Sequence, residues 1–385
     1  MAARVAGLAL ACVLLAGCGT VRGWFGGGKD ATAPAPLVEF AATAQPALLW
    51  SARAGKGEGR IGAGQGPAIA DGRVFAAAVH GGVHAFDLET GAPAWHAPSD
   101  LRLSGGPGVG DGLVVAGGLD GDVLALDAAT GAERWRAKVG NEVIAAPAIG
   151  QGLVLVRSND GRLSAFDAAT GQRRWFWSGD LPALTVRGNG APLLVPGLAI
   201  VGTDGGGLVA VALQDGRALW DQQVAQPEGR TDLERMADVD GTPVLDGVTV
   251  FASSYKGQTI AVDGRNGQPL WVRDSGGAGQ IGDGGDRIVL ADPQGTVWAL
   301  DKAGGSALWQ QPGLARRRPG GAAVHAGHAV VGDYDGYLHW LRLADGEFAA
   351  RTRVGKAAIR SAPRVSGDVL VVQDIDGRIS AYRLR

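Results

Sequence analysis

The sequence predicts an all-β protein: an eight-bladed β-propeller of four-stranded blades, with the last blade closed by the N-terminal strand. Three observations predict it. A turn-and-tryptophan motif recurs with a period of about 40 residues, the length of one propeller blade. The chain carries 65 glycines beside 46% apolar residues, a composition of many short strands joined by tight turns. The final copy of the repeat stops before its outer strand, and a lone copy of that strand stands near the N-terminus.

The motif is clearest in Asp87-Leu88-Glu89-Thr90-Gly91 with Trp95, Asp127 to Gly131 with Trp135, and Asp167 to Gly171 with Trp175. Asp263 to Gly267 with Trp271 and Asp301 to Gly305 with Trp309 keep the spacing, the Trp eight residues after the Asp. Ala212 to Gly216 with Trp220, and Arg342 to Gly346 with Phe348, are weaker copies. Residues 106 to 140 show how one copy makes a blade. Gly106 to Gly110 is a short inner strand, Asp111-Gly112 a hairpin turn, Leu113 to Gly117 an apolar strand and Asp120-Gly121 the next turn. Asp122 to Asp127 follows, and after the Asp-Ala-Ala-Thr-Gly turn comes the outer strand with Trp135. In that turn the Asp and Thr side chains bond nearby backbone N–H groups and the Gly takes a positive φ. The Trp is expected to pack between blades with its indole N–H on a carbonyl. The turn aspartates recur on separate blades, so they cannot converge on one metal ion.

Seven copies run from about residue 66 to 355. An eighth runs from Ala362-Pro363-Arg364-Val365 through Val369 to Val372 and Ile379 to Leu384, and lacks an outer strand. Leu48-Leu49-Trp50-Ser51-Ala52-Arg53 has the pattern of that missing strand. Pairing the two ends closes the ring and removes exposed sheet edges.

Ahead of the propeller, Arg4 and the apolar run Val5 to Ala16 read as a signal peptide, too short to span a bilayer as a helix. Leu15-Ala16-Gly17-Cys18 resembles the lipobox of bacterial lipoproteins, in which the Cys is diacylated and becomes the N-terminus. The expected organisation is a signal peptide over 1–17, a lipid-anchored flexible tether over 18–45 rich in Gly, Ala and Pro, and the propeller over 46–385. The only cysteines are Cys12 and Cys18, so the mature chain is expected to have no disulfide and no free thiol beyond its anchor. A net charge of −2 offers no footprint for nucleic acid.

Most blade-to-blade connections are short. Two are long: Ser178 to Gly190 between blades three and four, and Ala225 to Gly241 between blades four and five. They leave one face as neighbours, and long loops on a rigid scaffold are common carriers of binding. The first presents Leu181, Leu184, Val186 and Arg187. The second contains Thr231-Asp232-Leu233-Glu234, a capping-box signature that predicts a short helix over Asp232 to Ala237, then Asp238 and Asp240. An apolar patch beside an Arg and two carboxylates suits a protein interface with an anchor and a polar rim. The alternative is a structural bridge between Arg187 and the Asp pair.

The Asp-x-x-Thr-Gly-x-x-x-Trp repeat resembles that of pyrroloquinoline-quinone dehydrogenase propellers, a mark of the superfamily. The lipobox, the length and the eight-blade count together resemble the BamB family, the propeller lipoproteins of the outer-membrane β-barrel assembly machine. Leu181 to Gly188, Met236 to Pro243 and Gly336-Tyr337-Leu338-His339-Trp340 look like signatures of that family, and the resemblance covers essentially the whole chain. It implies a non-catalytic scaffold without cofactor or metal. The scaffold would contact the periplasmic domains of a BamA-like barrel-forming subunit through Leu184, Val186, Arg187, Asp238 and Asp240, beside other lipoproteins of the complex. Gly19 after the lipobox implies anchoring in the outer membrane, facing the periplasm.

Two other functions compete. A quinoprotein dehydrogenase would carry a vicinal Cys pair and a Ca²⁺ site, and the mature chain has a single Cys. A polysaccharide-binding propeller would present aromatics on its long loops, and these loops have none. The six His residues form no zinc set, and Asp204-Gly205-Gly206-Gly207 lacks the Gly-Lys-Ser/Thr and helix of a phosphate loop. It reads as a loose turn in blade four. For the anchor, Cys18→Ala is expected to abolish metabolic labelling with a radioactive fatty acid; persistent labelling would overturn the lipobox assignment.

Overall fold

The computed structural model describes residues 33–188 and 190–385, so the signal segment and Cys18 lie outside the described residues. Among these, each copy of the repeat forms a four-stranded antiparallel sheet, and eight sheets form in all. Blade two runs Gly108–Gly110, Leu113–Gly117, Asp122–Asp127 and Glu133–Lys138, with Asp111 and Gly112 both at positive φ, as a type I′ hairpin requires. Among the described residues no helix is long and apolar enough to cross a membrane.

The last blade joins the two ends of the propeller. Pro46–Arg53 pairs antiparallel with Arg378–Leu384, and Trp50 opposes Ala381. The inner strand of blade one, Ala68–Ala70, adjoins that of blade two and, across the closure, Arg364–Ser366 of blade eight. The core is shared between neighbours. Leu155, Leu163 and Trp175 of blade three pack with Val201, Val209 and Val211 of blade four.

The recurring tryptophan has a defined place. It sits on the outer strand opposite an alanine of the third strand, as in Trp95 with Ala85, Trp135 with Ala125 and Trp220 with Ala210. The small partner leaves the indole free to lean onto the next blade. There its Nε1 donates to a turn carbonyl: Trp50 to Leu88 at 2.8 Å, Trp135 to Ala168 at 2.8 Å, Trp175 to Leu213 at 2.7 Å and Trp309 to Leu343 at 2.8 Å. The ring covers the turn glycine, so a Cβ on Gly131 would lie 2.6 Å from Trp95 and one on Gly171 2.6 Å from Trp135. These glycines are fixed by both the contact and their positive φ. The turn aspartates cap the turn as expected: Asp127 Oδ1 accepts from the backbone N–H of Ala129 and Thr130 and from the Thr130 hydroxyl.

Blade seven departs from the pattern. Phe348 is not the residue in the Trp register; Ala350 is, and it opposes Trp340 of the third strand. Large and small have exchanged sides. The reason lies in blade eight, whose third and outer strands come from opposite ends of the propeller and leave no Asp-x-x-Thr-Gly turn to cover. Trp340, fully buried, meets Tyr382 of blade eight edge-on instead.

Residues 37–45, which composition assigns to the tether, lie on the propeller. Phe40 stacks on Phe348 with ring centroids 5.5 Å apart. Arg351 Nη2 donates to the Val38 carbonyl at 2.5 Å, and the Thr43 N–H to that of Ala349 at 2.9 Å. An aromatic in a Pro- and Ala-rich stretch is the sequence signal for this docking. Deleting residues 46–53 is expected to expose the edge of the Arg378–Leu384 strand and leave the Leu88 carbonyl uncovered. The truncated chain should melt at lower temperature and aggregate in calorimetry and light scattering; an unchanged melting curve would refute closure by this strand.

Candidate functional site

The two long connections lie beside each other and touch. In the second, Thr231 caps the helix α1 (Asp232–Arg235), and Glu234 reaches back to the Thr231 N–H, completing the capping box. The helix is shorter than the sequence predicts because the chain turns extended at Met236. Ala237 and Val239 then enter the core of blades four and five, and the Val239 N–H donates to the Thr203 carbonyl.

This insertion carries two carboxylates inward. Asp238 is fully buried and Asp240 nearly so, so neither forms the polar rim that the sequence suggests. Asp204, from the glycine-rich turn between Leu198–Gly202 and Gly207–Ala212 of blade four, joins them, and one carboxylate oxygen from each of the three lies within 4.8 Å of the other two. Arg157, buried in blade three, donates from Nη2 to Asp204 Oδ1 at 2.6 Å. Asp238 Oδ1 accepts the Val186 N–H at 2.8 Å and so ties the two connections together. Among the described residues, both Asp240 oxygens lack a hydrogen-bond partner.

Burial dominates the electrostatics. It pushes Asp240 up to about 8, against a lowering by Arg157 and with further raising by Asp238 and Asp204. It pushes Asp238 up to about 6, partly offset by the backbone hydrogen bonds it accepts. Crowded carboxylates with one cation between them keep protons rather than all ionise.

Arg187 does not bridge to the Asp pair. Its Nη1 and Nη2 grip both oxygens of Glu142, each at 2.7 Å, and its Nε donates to the Ile61 carbonyl at 2.8 Å. Buried Arg157 already serves the aspartates, while Glu142, on the connection between blades two and three, presents a planar carboxylate to the Arg187 fork. Leu181 and Leu184 remain about half exposed, and Leu233 on α1 is 66% exposed; Val186 is half-buried. The site thus presents an apolar edge over a polar foundation. Arg157, Asp204 and Glu142 escaped sequence reasoning. A signal existed for Arg157: it breaks an apolar strand at a position where blade one has Ala77 and blade two Gly117.

Residues 79–311 and 293–384 match the family described as outer membrane protein assembly factor BamB. The protein of that name from Xanthomonas campestris pv. campestris is 56% identical over 99% of this chain and 97% of its own length. BamB from Moraxella catarrhalis superposes with a TM-score of 0.80 at 25% identity, covering 88% of this chain and all of that one. A quinohemoprotein alcohol dehydrogenase from Comamonas testosteroni superposes with a TM-score of 0.68 at 17% identity, covering 88% of this chain and 76% of that one, a likeness of fold alone.

The raised acidity constants have a stability consequence. A carboxyl whose constant is raised on folding contributes in full below about pH 4 and loses that contribution as pH rises through its folded value. The wild-type melting temperature is expected to fall between pH 5 and 8.5 as Asp238 and then Asp240 are forced to ionise. Asp240→Asn should melt higher than wild type at pH 8.5 and alike at pH 4.5; equal pH profiles for the two would contradict a proton held at Asp240.

Proposed function

The chain belongs to the family of outer membrane protein assembly factor BamB, and from that premise we propose that it is a lipid-anchored, periplasm-facing scaffold of the machinery that assembles outer-membrane β-barrels. Its work is binding rather than catalysis. The anchor is Cys18, and the propeller stands off the membrane and offers its long-loop face to the periplasmic region of the barrel-forming subunit, beside the complex's other lipoproteins. The observation that carries this reading is the apolar edge of Leu181, Leu184 and Leu233 on loops locked from beneath by the Asp238 to Val186 bond. Exposed leucines on an ordered loop form an interface anchor at little ordering cost. Arg187, held flat by Glu142, adds a fixed donor surface at the margin. Asp238 acts from below by holding the Val186 N–H, and Asp240 lies buried beneath the same loop.

The test is titration of the purified full-length chain in detergent against the partner's periplasmic region. Removing an interface anchor costs about 2 kcal/mol or more, which is roughly thirtyfold in affinity at about 1.4 kcal/mol per decade. Leu184→Asp with Arg187→Ala is expected to weaken binding by at least that factor and leave the melting temperature near wild type. Glu89→Ala with Glu133→Ala, in a turn and at the start of an outer strand on the opposite face, should bind as wild type. Full affinity in the loop variant would reject the surface.

A further inference from the structure

The face with the long connections also opens onto the propeller axis. A cavity of about 370 Å³ lies there, within the ~300–1,000 Å³ common for small-molecule sites. All eight blades contribute to its wall, from Gly66 ahead of the first inner strand to Ala362 ahead of the last, and glycine-rich backbone forms much of it. Four arginines line it: Arg187, Arg318, Arg360 and Arg364.

Two of these are compensated. Arg187 holds Glu142, and Arg360 Nη1 lies 3.4 Å from Glu58 Oε1. The two converge, since both come within 4 Å of the position a Cβ on Gly62 would take. Arg318 and Arg364 differ. Among the described residues neither side chain makes an ion pair or a hydrogen bond. Arg364 opens the inner strand of blade eight, and its exposed side chain borders the cavity; the surrounding protein depresses its basicity and no acid stands near to restore it. The one carboxyl group in the lining is Asp240, which burial keeps protonated at neutral pH. The cavity therefore faces two uncompensated guanidinium charges. A guanidinium with no carboxylate of its own keeps its donors for a ligand, and its fork matches a carboxylate or phosphate in geometry as well as charge.

We propose that this axial vestibule binds a small dianion, a phosphate group or a dicarboxylate, gripped by Arg364 and Arg318 with Arg360 and Arg187 at its margin. Two free cations set the charge of the ligand, and the cavity sets its size. The site does not depend on the partner reading, because Arg318 and Arg364 lie outside the long connections.

The experiment is calorimetric titration of the full-length chain in detergent with inorganic phosphate and, separately, succinate, at constant ionic strength in chloride. Saturable one-to-one binding of at least one probe is expected. Phosphate alone would mark a phosphoryl ligand, succinate alone a dicarboxylate, and both the shared dianion chemistry. Arg364→Gln and Arg318→Gln should each weaken binding tenfold or more, and Arg134→Gln with Arg265→Gln, in an outer strand and a turn bordering the opposite face, should leave it unchanged. Without anion, Arg364→Gln should melt no lower than wild type, since the side chain makes no ion pair or hydrogen bond among the described residues, and it should lose the anion-induced rise in melting temperature. Absence of saturable binding with both probes, wild-type affinity in Arg364→Gln, or a lower melting temperature of that variant without anion would each overturn the proposal.

Discussion

Seven indole rings, each lying on the turn glycine of the next blade with its N–H on a turn carbonyl, hold the ring of blades together. The contact joins three constraints at one point. The glycine must be bare to admit the ring, the alanine across the strand pair must be small to let the ring lean outward, and the Asp-capped turn must hold its carbonyl in place. An indole buried with its N–H satisfied gives apolar area without an orphan donor. Because seven of the eight blade-to-blade interfaces repeat the contact, it runs almost all the way round, and closure through the Pro46–Arg53 strand, which carries Trp50, matters as much as any single blade.

The exception shows that this is a physical constraint and not a habit of the repeat. Between blades seven and eight no turn awaits an indole, because the chain's two ends meet there. The tryptophan moves to the third strand, alanine takes its place, and Tyr382 and Phe40 fill the gap around Trp340 and Phe348. The N-terminal segment thus packs where the repeat runs out.

A stiff ring permits irregular connections. The long loops carry no regular sheet of their own, yet they are fixed, because Asp238 and Asp240 are drawn down onto Asp204 and Arg157 from neighbouring blades. Buried carboxylates of this kind are a poor source of stability. Their effect is to hold the backbone of Val186 and leave Leu181 and Leu184 on the outside. The same face collects uncompensated arginines at the axis, so apolar edge and basic vestibule adjoin.

The propeller, its blade count and its closure were legible in the sequence because each rests on local chemistry repeated many times. Asp-Gly and Asp-x-x-Thr-Gly encode turns through φ preference and side-chain capping, and the Trp spacing encodes the outer strand. The capping box of α1 was legible for the same reason. The direction of the functional side chains was not. Asp238 and Asp240 look like surface carboxylates in any local window, and their burial follows from Arg157 and Asp204, which lie far away along the chain. Arg187 meets Glu142 and Ile61 across 45 and 126 residues. The sequence by itself determined which segments repeat and which do not; the tertiary structure alone decided which charges face one another, because charge pairing depends on distances that closing the ring creates.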